Sequence, residues 1–243
     1  MRTPGDEGRL VIRVRSRLSS AGTYEATMLT ETLNAFFDSL GAEWILWLLV
    51  GLSILSVGIM LERWLFFRRN AISLDNLSET ILGYLKAGDS ESAEKAGLAA
   101  PGMTGAVLGA TFDAHKAGVE SVGEVISATL THERTHYDKN LSILGTLGNN
   151  APFIGLLGTV IGILNAFAQL AGALDGSAKT EAVMHSISEA LVATAVGLAV
   201  AIPAVIAFNS FKNRIKKLVS DNDWLARNTL AYLQVKKPES QEK

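Results

Sequence analysis

The sequence predicts an all-α membrane protein with three transmembrane helices, two of which extend as long helices into a cytoplasmic helical bundle. The first observation is the composition, since 48% of the 243 residues are apolar and the mean hydropathy is +0.25. The second is that the apolar residues are concentrated in three blocks long enough to cross a bilayer. The third is the helical spacing of apolar residues outside those blocks.

Charge and cysteine content exclude several classes of function. The formal net charge is -2 and the pI is near 6.1, so nothing in the composition supports nucleic-acid binding. The chain has no cysteine, which excludes a disulfide framework and a cysteine-ligated metal. We expect no cofactor.

Residues 1–43 predict an N-terminal tail followed by an amphipathic helix. Five arginines and little apolar patterning mark residues 1–27. From Met28 onward, leucine and phenylalanine recur at helical spacing, which is typical of a helix lying at the membrane surface. We interpret Met28 as the native start and 1–27 as an upstream extension, with a disordered basic tail as the alternative. The intact mass of the native protein distinguishes the two.

Three segments are predicted to span the membrane. The first, 44–67, begins with eighteen uncharged residues and has tryptophan at both ends. The second, 141–174, is uncharged throughout; at ~1.5 Å per residue it measures roughly 51 Å, against ~30 Å of hydrocarbon. It must therefore project from the bilayer or be partly buried in protein. The third, 182–209, ends in twenty uncharged residues.

The positions of the basic residues predict the orientation of these spans. Arg63, Arg68 and Arg69 close the first span, and four basic residues between Lys212 and Lys217 follow the third. By the positive-inside rule both of these ends are cytoplasmic. The N-terminus is then periplasmic, the tip of the hairpin between spans two and three is outside, and the C-terminus is cytoplasmic.

The remaining segments predict a cytoplasmic helical region over 68–140 and a C-terminal helix and tail over 210–243. Helices are expected over 73–87, between Asp89 and Pro101, over 103–117, and continuously from about Val119 into span two. Apolar stripes run along the last of these (Ile126, Leu130, Tyr137, Leu141, Leu144) and, more sparsely, after span three (Phe211, Ile215, Leu218, Leu225, Tyr232). Asn222 and Thr229 interrupt the second stripe.

Glu189 is the candidate functional carboxylate, because it lies at the start of the third apolar segment. The alternative is an interfacial residue favoured by the dipole at the helix N-terminus. Small residues beside it favour a protein-facing or pore-facing position, since they let helices approach closely. These helix-packing residues are Gly158 and Gly162 in span two and Ala193, Gly197 and Ala201 in span three.

Three further side chains are candidates for a proton pathway. Thr159 and Thr194 place hydroxyl groups deeper in the bilayer, where they can hold ordered water. The alternative for each is a hydrogen bond back to its own helix. Thr194 lies five residues from Glu189, roughly 140° around the helix, so the two cannot point the same way. His185 is a possible modulator one turn before Glu189, or simply an exposed histidine.

His132-Glu133-Arg134-Thr135-His136 matches the HExxH motif of zinc hydrolases. No third ligand is apparent, and the predicted helix is polar all round at this point. We interpret the motif as a chance match and expect no metal and no catalytic residue. Metal-dependent proteolysis that is lost in His132→Ala would reverse this interpretation.

Two motifs resemble a known family. APFIGLLGTVIGILNAF, followed by ISEALVATAVGLAVAIPAVIAFN, resembles the MotA/TolQ/ExbB proton channel family, closest to ExbB and TolQ, within a similarity over roughly residues 44–220. The resemblance implies an inner-membrane homopentamer that encloses a partner of the ExbD/TolR type, whose single transmembrane helix bears an Asp. A TonB/TolA-like protein is the further partner that it implies. Thr159, Glu189 and Thr194 fall on the family's pore threonine, glutamate and second threonine. The chain departs from the family at His185 and Ser186, where relatives have a Pro-Gly pair.

The resemblance and the residues together predict a proton-conducting stator subunit that couples the proton-motive force to work on the cell envelope. TonB-dependent import, Tol-type envelope maintenance and gliding-type motility all remain open as the process driven. The alternative is a membrane scaffold that assembles a partner without conducting. Glu189→Ala is expected to abolish partner-dependent work while assembly persists.

Overall fold

The computed structural model describes residues 43–172 and 176–235, with side chains over 43–170 and 180–235. These residues form helices and no strand, which confirms the all-α class. The helices are α1 (Glu43–Arg69), α2 (Leu74–Ala87), α3 (Ser90–Leu98), α4 (Gly102–Lys116), α5 (Val122–Asp138), α6 (Leu141–Gly172) and α7 (Gly176–Val235). The predictions for the N-terminal tail, the start at Met28, the amphipathic helix and the last eight residues lie outside the described part.

Three of these helices, α1, α6 and α7, are long and apolar enough to cross a membrane. The predicted spans 44–67 and 182–209 lie within α1 and α7, and the predicted span 141–174 coincides with α6 up to Gly172, beyond which its last two residues lie outside the described part. Pro152 and Pro203 lie inside α6 and α7, and both helices continue through them. Because proline lacks an N–H, each leaves one carbonyl of the preceding turn without its helical donor.

The described chain divides into two compact units. The first consists of residues 43–51 with Ala151–Ala199, and the second of Leu52–Asn150 with 200–235. The first unit contains the outer parts of the predicted hairpin together with the start of α1. The second contains the bundle of α2 to α5 and the adjoining parts of the three long helices.

The core of the second unit is built from the predicted apolar stripes. All five residues of the stripe that leads into span two, Ile126, Leu130, Tyr137, Leu141 and Leu144, are buried. The ring of Phe67, near the end of α1, stacks on Phe211 of α7 with the ring centroids 5.4 Å apart. The same cluster includes Val107 from α4 and Ile215 from α7. The first and last helices therefore share one core with α4, α5 and the start of α6.

Two helix boundaries of the bundle follow the residues that predicted them. Gly88 ends α2 with φ 90°, and its N–H bonds to a carbonyl of the last turn. This left-handed conformation is one that glycine adopts without steric cost. The Asp89 side chain accepts a hydrogen bond from the Ser92 N–H at 2.9 Å and so caps α3.

The N-terminus of α4 is capped by a residue from another helix. Pro101 precedes it and provides no side-chain cap. The hydroxyl of Tyr137 accepts a hydrogen bond from the Met103 N–H at 3.1 Å. Gly102 lies beside this hydroxyl with φ 62°, so only a residue without a side chain fits there easily. Tyr137 thus ties α5 to the start of α4.

The continuous helix predicted from Val119 into span two is wrong at one point. Lys139 has an extended backbone and Asn140 has φ 61°, so α5 ends at Asp138 and α6 begins at Leu141. Asn140 donates to Glu62 Oε2 at 3.2 Å, and the buried Arg63 donates to the His136 carbonyl at 3.3 Å. These contacts satisfy the His136 carbonyl at the end of α5 and the Asn140 side-chain amide. Asparagine also tolerates the left-handed conformation better than most residues.

The polar residues that interrupt the second stripe do not end the helix. Asn222 and Thr229 are both buried, and α7 continues to Val235. The Asn222 amide donates back to the Leu218 carbonyl at 2.8 Å, a local bond that needs no outside partner. The apolar stripe after span three is buried over only part of its length, because Ile215 and Leu225 are buried whereas Tyr232 is exposed.

Candidate functional site

The candidate site lies in the first unit, where α6 and α7 pack antiparallel with little side chain between them. A Cβ atom added at Gly158 would lie 2.6 Å from the Cβ of Ala193, and one added at Gly162 would lie 2.6 Å from the Cβ of Ala190. Real carbon atoms do not approach this closely, so both positions exclude any side chain. Glycine destabilises a helix interior by about 0.5–1 kcal/mol, and here it permits the close contact.

The contact continues as a backbone-to-backbone approach further along the pair. A Cβ at Gly155 would meet the Ala193 carbonyl oxygen at 2.9 Å and the Thr194 Cα at 3.0 Å. From the other side, a Cβ at Gly197 would meet the Ala151 carbonyl oxygen at 2.7 Å. Four of the five predicted packing residues therefore lie along this seam. The fifth, Ala201, is buried in the second unit.

The start of α1 also packs against the seam. Ile45 and Leu49 are fully buried, and the Ile45 side chain lies 3.5 Å from the Cβ position of Gly158. From the sequence, this helix is predicted only to span the membrane, and Ile45 and Leu49 are not among the candidate site residues. The available signal was their spacing of four residues, which places both on one face of the helix.

The two threonines use their hydroxyl groups differently. Thr194 donates across the seam to the Gly155 carbonyl at 3.1 Å. Thr159 donates to the Leu156 carbonyl of its own helix at 2.7 Å, which is the local bond weighed as the alternative for both residues. Thr194 thus links α7 to α6, whereas the hydroxyl hydrogen of Thr159 is used within α6; the lone pairs of both oxygens can still accept bonds.

Glu189 is half-buried, and its Oε1 atom is buried without a hydrogen bond from any described residue. The neighbouring Ser186 and Ala190 are buried in the seam. A buried carboxylate oxygen is normally paired or bonded, so an unsatisfied one marks a site that expects a donor. His185, one turn earlier, is exposed.

Two amides of α6, Asn165 and Gln169, lie on the same part of the helix pair as Glu189 and are not among the candidates named from the sequence. Ser186 donates to Gln169 Oε1 at 3.2 Å across the helix pair. Asn165 is half-buried, and its Oδ1 atom is buried without a hydrogen bond from the described residues. An amide in an uncharged apolar span was the signal for both.

The candidate residues fall on two flanks of the helix pair. Counting about 100° per residue from the Gly158–Ala193 contact puts Asn165 and Glu189 on one flank, and Thr159 and Thr194 on the other. The first flank also carries Ile161, which is buried. The second flank is open, since large apolar side chains beside the threonines are exposed; these include Ile163 and Leu198.

The HExxH motif belongs to the second unit and not to the residues of this site. His132 and His136 are exposed on α5 with their ring centroids 5.2 Å apart. Within the described residues, no group of three or more histidine, aspartate or glutamate side chains forms a possible metal site. The fold adds no ligand to the motif.

Comparison with known proteins identifies similar chains. A family model described as the MotA/TolQ/ExbB proton channel family matches residues 95–223, which include all of α6 and most of α7. A biopolymer transport protein ExbB from Xanthomonas campestris pv. campestris (strain B100) is 40% identical over 109 residues, 45% of this chain and 42% of the relative. A Tol-Pal system protein TolQ from Pseudomonas aeruginosa is 41% identical over 101 residues, 42% of this chain and 43% of the relative.

A further relative, the biopolymer transport protein ExbB of Neisseria gonorrhoeae, is 45% identical over 92 residues, which are 38% of this chain and 41% of the relative. The chain therefore matches less than half the length of each of these three relatives. Their names come from two systems, biopolymer transport and Tol-Pal.

Proposed function

Because the chain belongs to the MotA/TolQ/ExbB proton channel family, we propose that it is a proton-conducting stator subunit of an energy-transducing complex in the bacterial inner membrane. It would couple the proton-motive force to work on the cell envelope. The matched residues 95–223 contain all of α6 and the part of α7 that carries Glu189 and Thr194, so the family assignment and the site concern the same part of the chain.

One observation carries the proposal: the Glu189 carboxylate has a buried oxygen that no described residue satisfies, inside a helix apolar enough to span a membrane. Ionisable groups in such surroundings are costly and mark ion pathways by default. Thr159 and Thr194 supply hydroxyl groups on the opposite, open flank. We infer that an ExbD/TolR-like partner, whose single transmembrane helix carries an Asp, lies against this helix pair, and that Glu189 and the two threonines border a path between neighbouring helices.

The assembly and orientation are part of the same proposal. Exposed apolar side chains along α6 and α7 leave room for further chains, which supports a homo-oligomer, by family resemblance a pentamer. Arg68, Arg69 and the basic residues after α7's apolar segment support a cytoplasmic bundle and a periplasmic N-terminus. A TonB/TolA-like protein would then receive the motion of the partner.

The test compares two glutamates of α7. Glu189→Gln keeps the shape of the side chain and removes its ionisable proton; the matched control is Glu181→Gln, because Glu181 is exposed two turns earlier on the same helix. Proton flux is measured in liposomes that contain this protein and its partner, and assembly is checked by size-exclusion chromatography. We expect flux to be lost only in Glu189→Gln. Unchanged flux in that variant would refute the pathway.

A non-conducting scaffold is the second candidate, and the exposed apolar faces that would hold a partner favour it equally. Liposomes distinguish the two functions, since a scaffold assembles its partner and shows no flux. The system driven is a separate question, because the relatives are named ExbB and TolQ. A pull-down from the native host that identifies the partner would answer it.

A further inference from the structure

Two buried acceptor atoms in the first unit receive no hydrogen bond from any described residue: Asn165 Oδ1 on α6 and Glu189 Oε1 on α7. Leaving such atoms unsatisfied is costly, and native proteins rarely do so. The nearby amide of Gln169 shows the contrast, because it accepts a bond from Ser186. Both unsatisfied oxygens therefore require a donor from outside the described side chains.

The two oxygens come from neighbouring positions. Gly162 and Ala190 are in contact across the antiparallel pair. Asn165 lies three residues beyond Gly162 and Glu189 one residue before Ala190, so their levels along the helix axes differ by about 3 Å. Both also fall on the same flank, beside the buried Ile161. Their shared level and flank favour one small donor between the two side chains.

The chemistry of the site identifies the donor. While Glu189 is ionised, its oxygen and the Asn165 amide oxygen cannot bond each other, and no lysine or arginine lies in α6 or in the described side chains of α7 before Lys212. The titratable groups nearest in sequence, His185 and Glu181, are exposed, as is Glu43 at the start of α1. A water molecule has two donor hydrogens and typically binds buried polar groups that lack other partners.

We propose that Asn165 is a positioning residue for Glu189: its amide oxygen and the Glu189 carboxyl oxygen together hold one bridging water. The water donates one hydrogen to each oxygen. Only the consequence for conduction rests on the proposed function, since the water site itself needs neither a partner nor flux. In a conducting complex, this water would be the first group to exchange a proton with the acid.

The water site is tested by infrared spectroscopy on the full-length protein in lipid, in acidic buffer. The carbonyl stretch of protonated Glu189 is isolated as the difference from Glu189→Gln, and a bridging water is distinguished from a direct Glu189–Asn165 bond by the shift of its own O–H stretch in H2 18O. Asn165→Leu, of similar volume, removes the acceptor, and Asn165→Val is a second such variant in case the first does not assemble. Asn165→Ser restores an acceptor oxygen. Gln169→Leu is the matched control, because Gln169 is an amide of the same helix whose bond goes to Ser186.

The Glu189 band is expected to move to higher frequency in Asn165→Leu or Asn165→Val, to return toward its original position in Asn165→Ser, and to stay in place in Gln169→Leu. A band that stays in place in an assembled Asn165→Leu or Asn165→Val protein overturns the proposal, since another group then satisfies the acid. Proton flux in liposomes is measured separately. If the protein and its partner show no flux but the Glu189 band shifts in the Asn165 variants, conduction is refuted and the water site stands. If flux is normal but the band does not shift, the water site is refuted and conduction stands.

Discussion

Gly155→Ala tests whether the seam between α6 and α7 depends on direct backbone contact. The three atoms nearest to a Cβ at this position are the Ala193 carbonyl oxygen at 2.9 Å, the Thr194 Cα at 3.0 Å and the Gly197 Cα at 3.3 Å. All three belong to the backbone, so no side-chain rotation can relieve the contact. The helices must move apart, or α7 must shift along α6.

The size of the effect follows from these distances. Carbon contacts are optimal at about 3.5–4.0 Å, so the helices must separate by roughly 0.5–1 Å, which forfeits a quarter to a half of each dispersion contact along the seam. Such overpacking costs about 1–3 kcal/mol, and alanine recovers about 0.5–1 kcal/mol of helix propensity. The net loss of about 1–2 kcal/mol lowers Tm by about 2–8 °C for a chain of this size.

Thermal unfolding of the purified protein in detergent micelles measures the loss. Gly51→Ala is the matched control, because Gly51 lies inside α1 and no atom lies within 4 Å of its Cβ position. This control is expected to leave Tm unchanged or to raise it slightly. If Gly155→Ala proves as stable as Gly51→Ala, the helices do not depend on contact at this glycine and the reasoning is refuted.

Further predictions concern the Tyr137 cap of α4. Tyr137→Phe leaves the buried Met103 N–H without its acceptor, which costs about 1–2 kcal/mol. Deuterium exchange of the backbone amides of residues 102–107 should therefore accelerate by about 5–30-fold. The control Tyr84→Phe should leave this exchange unchanged. Burial raises the pKa of Tyr137. The neutral Tyr137 phenol therefore contributes its full stabilisation of the folded state below the ordinary tyrosine pKa of about 10. This stabilisation is lost as pH rises through the higher folded pKa, because the unfolded state releases the phenol proton first. Alkaline unfolding curves of Tyr137→Phe should lack this loss. Gly102→Ala, strained at φ 62° and by the Tyr137 hydroxyl, should cost less in the Tyr137→Phe background than alone, as a double-mutant cycle would show.

The fold class and the three spans could be predicted because long apolar blocks and helical spacing are strong local signals. The end of α2 at Gly88 was predicted for the same reason. The break at Lys139–Asn140 was not, because the contacts that hold it come from Glu62 and Arg63, which are distant in sequence. Local spacing alone could not reveal which partner would satisfy the end of α5.

Most residues of the candidate site could be proposed from the sequence, but Asn165, Gln169 and the geometry could not, and the roles of the proposed residues stay predictions. The sequence indicates the acid, the hydroxyls and the small residues, yet Thr159 and Thr194 could not be distinguished without knowing which carbonyl each hydroxyl meets. Asn165 was visible as an amide in an apolar span. Its importance depends on a second helix placing Glu189 on the same flank, which only the packing of α6 against α7 decides.

The stacking of Phe67 on Phe211 has a consequence for biosynthesis. The bundle core needs both the end of α1 and the distal half of α7, which the ribosome makes after α2 to α5. At about 5–20 residues per second, the roughly 70 residues between the end of α5 and Phe211 take roughly 4–15 s, during which the apolar faces of α2 to α5 stay uncovered. A nascent chain truncated before residue 211 should therefore be a substrate for chaperones and proteases, even with the helices before α7 already synthesised.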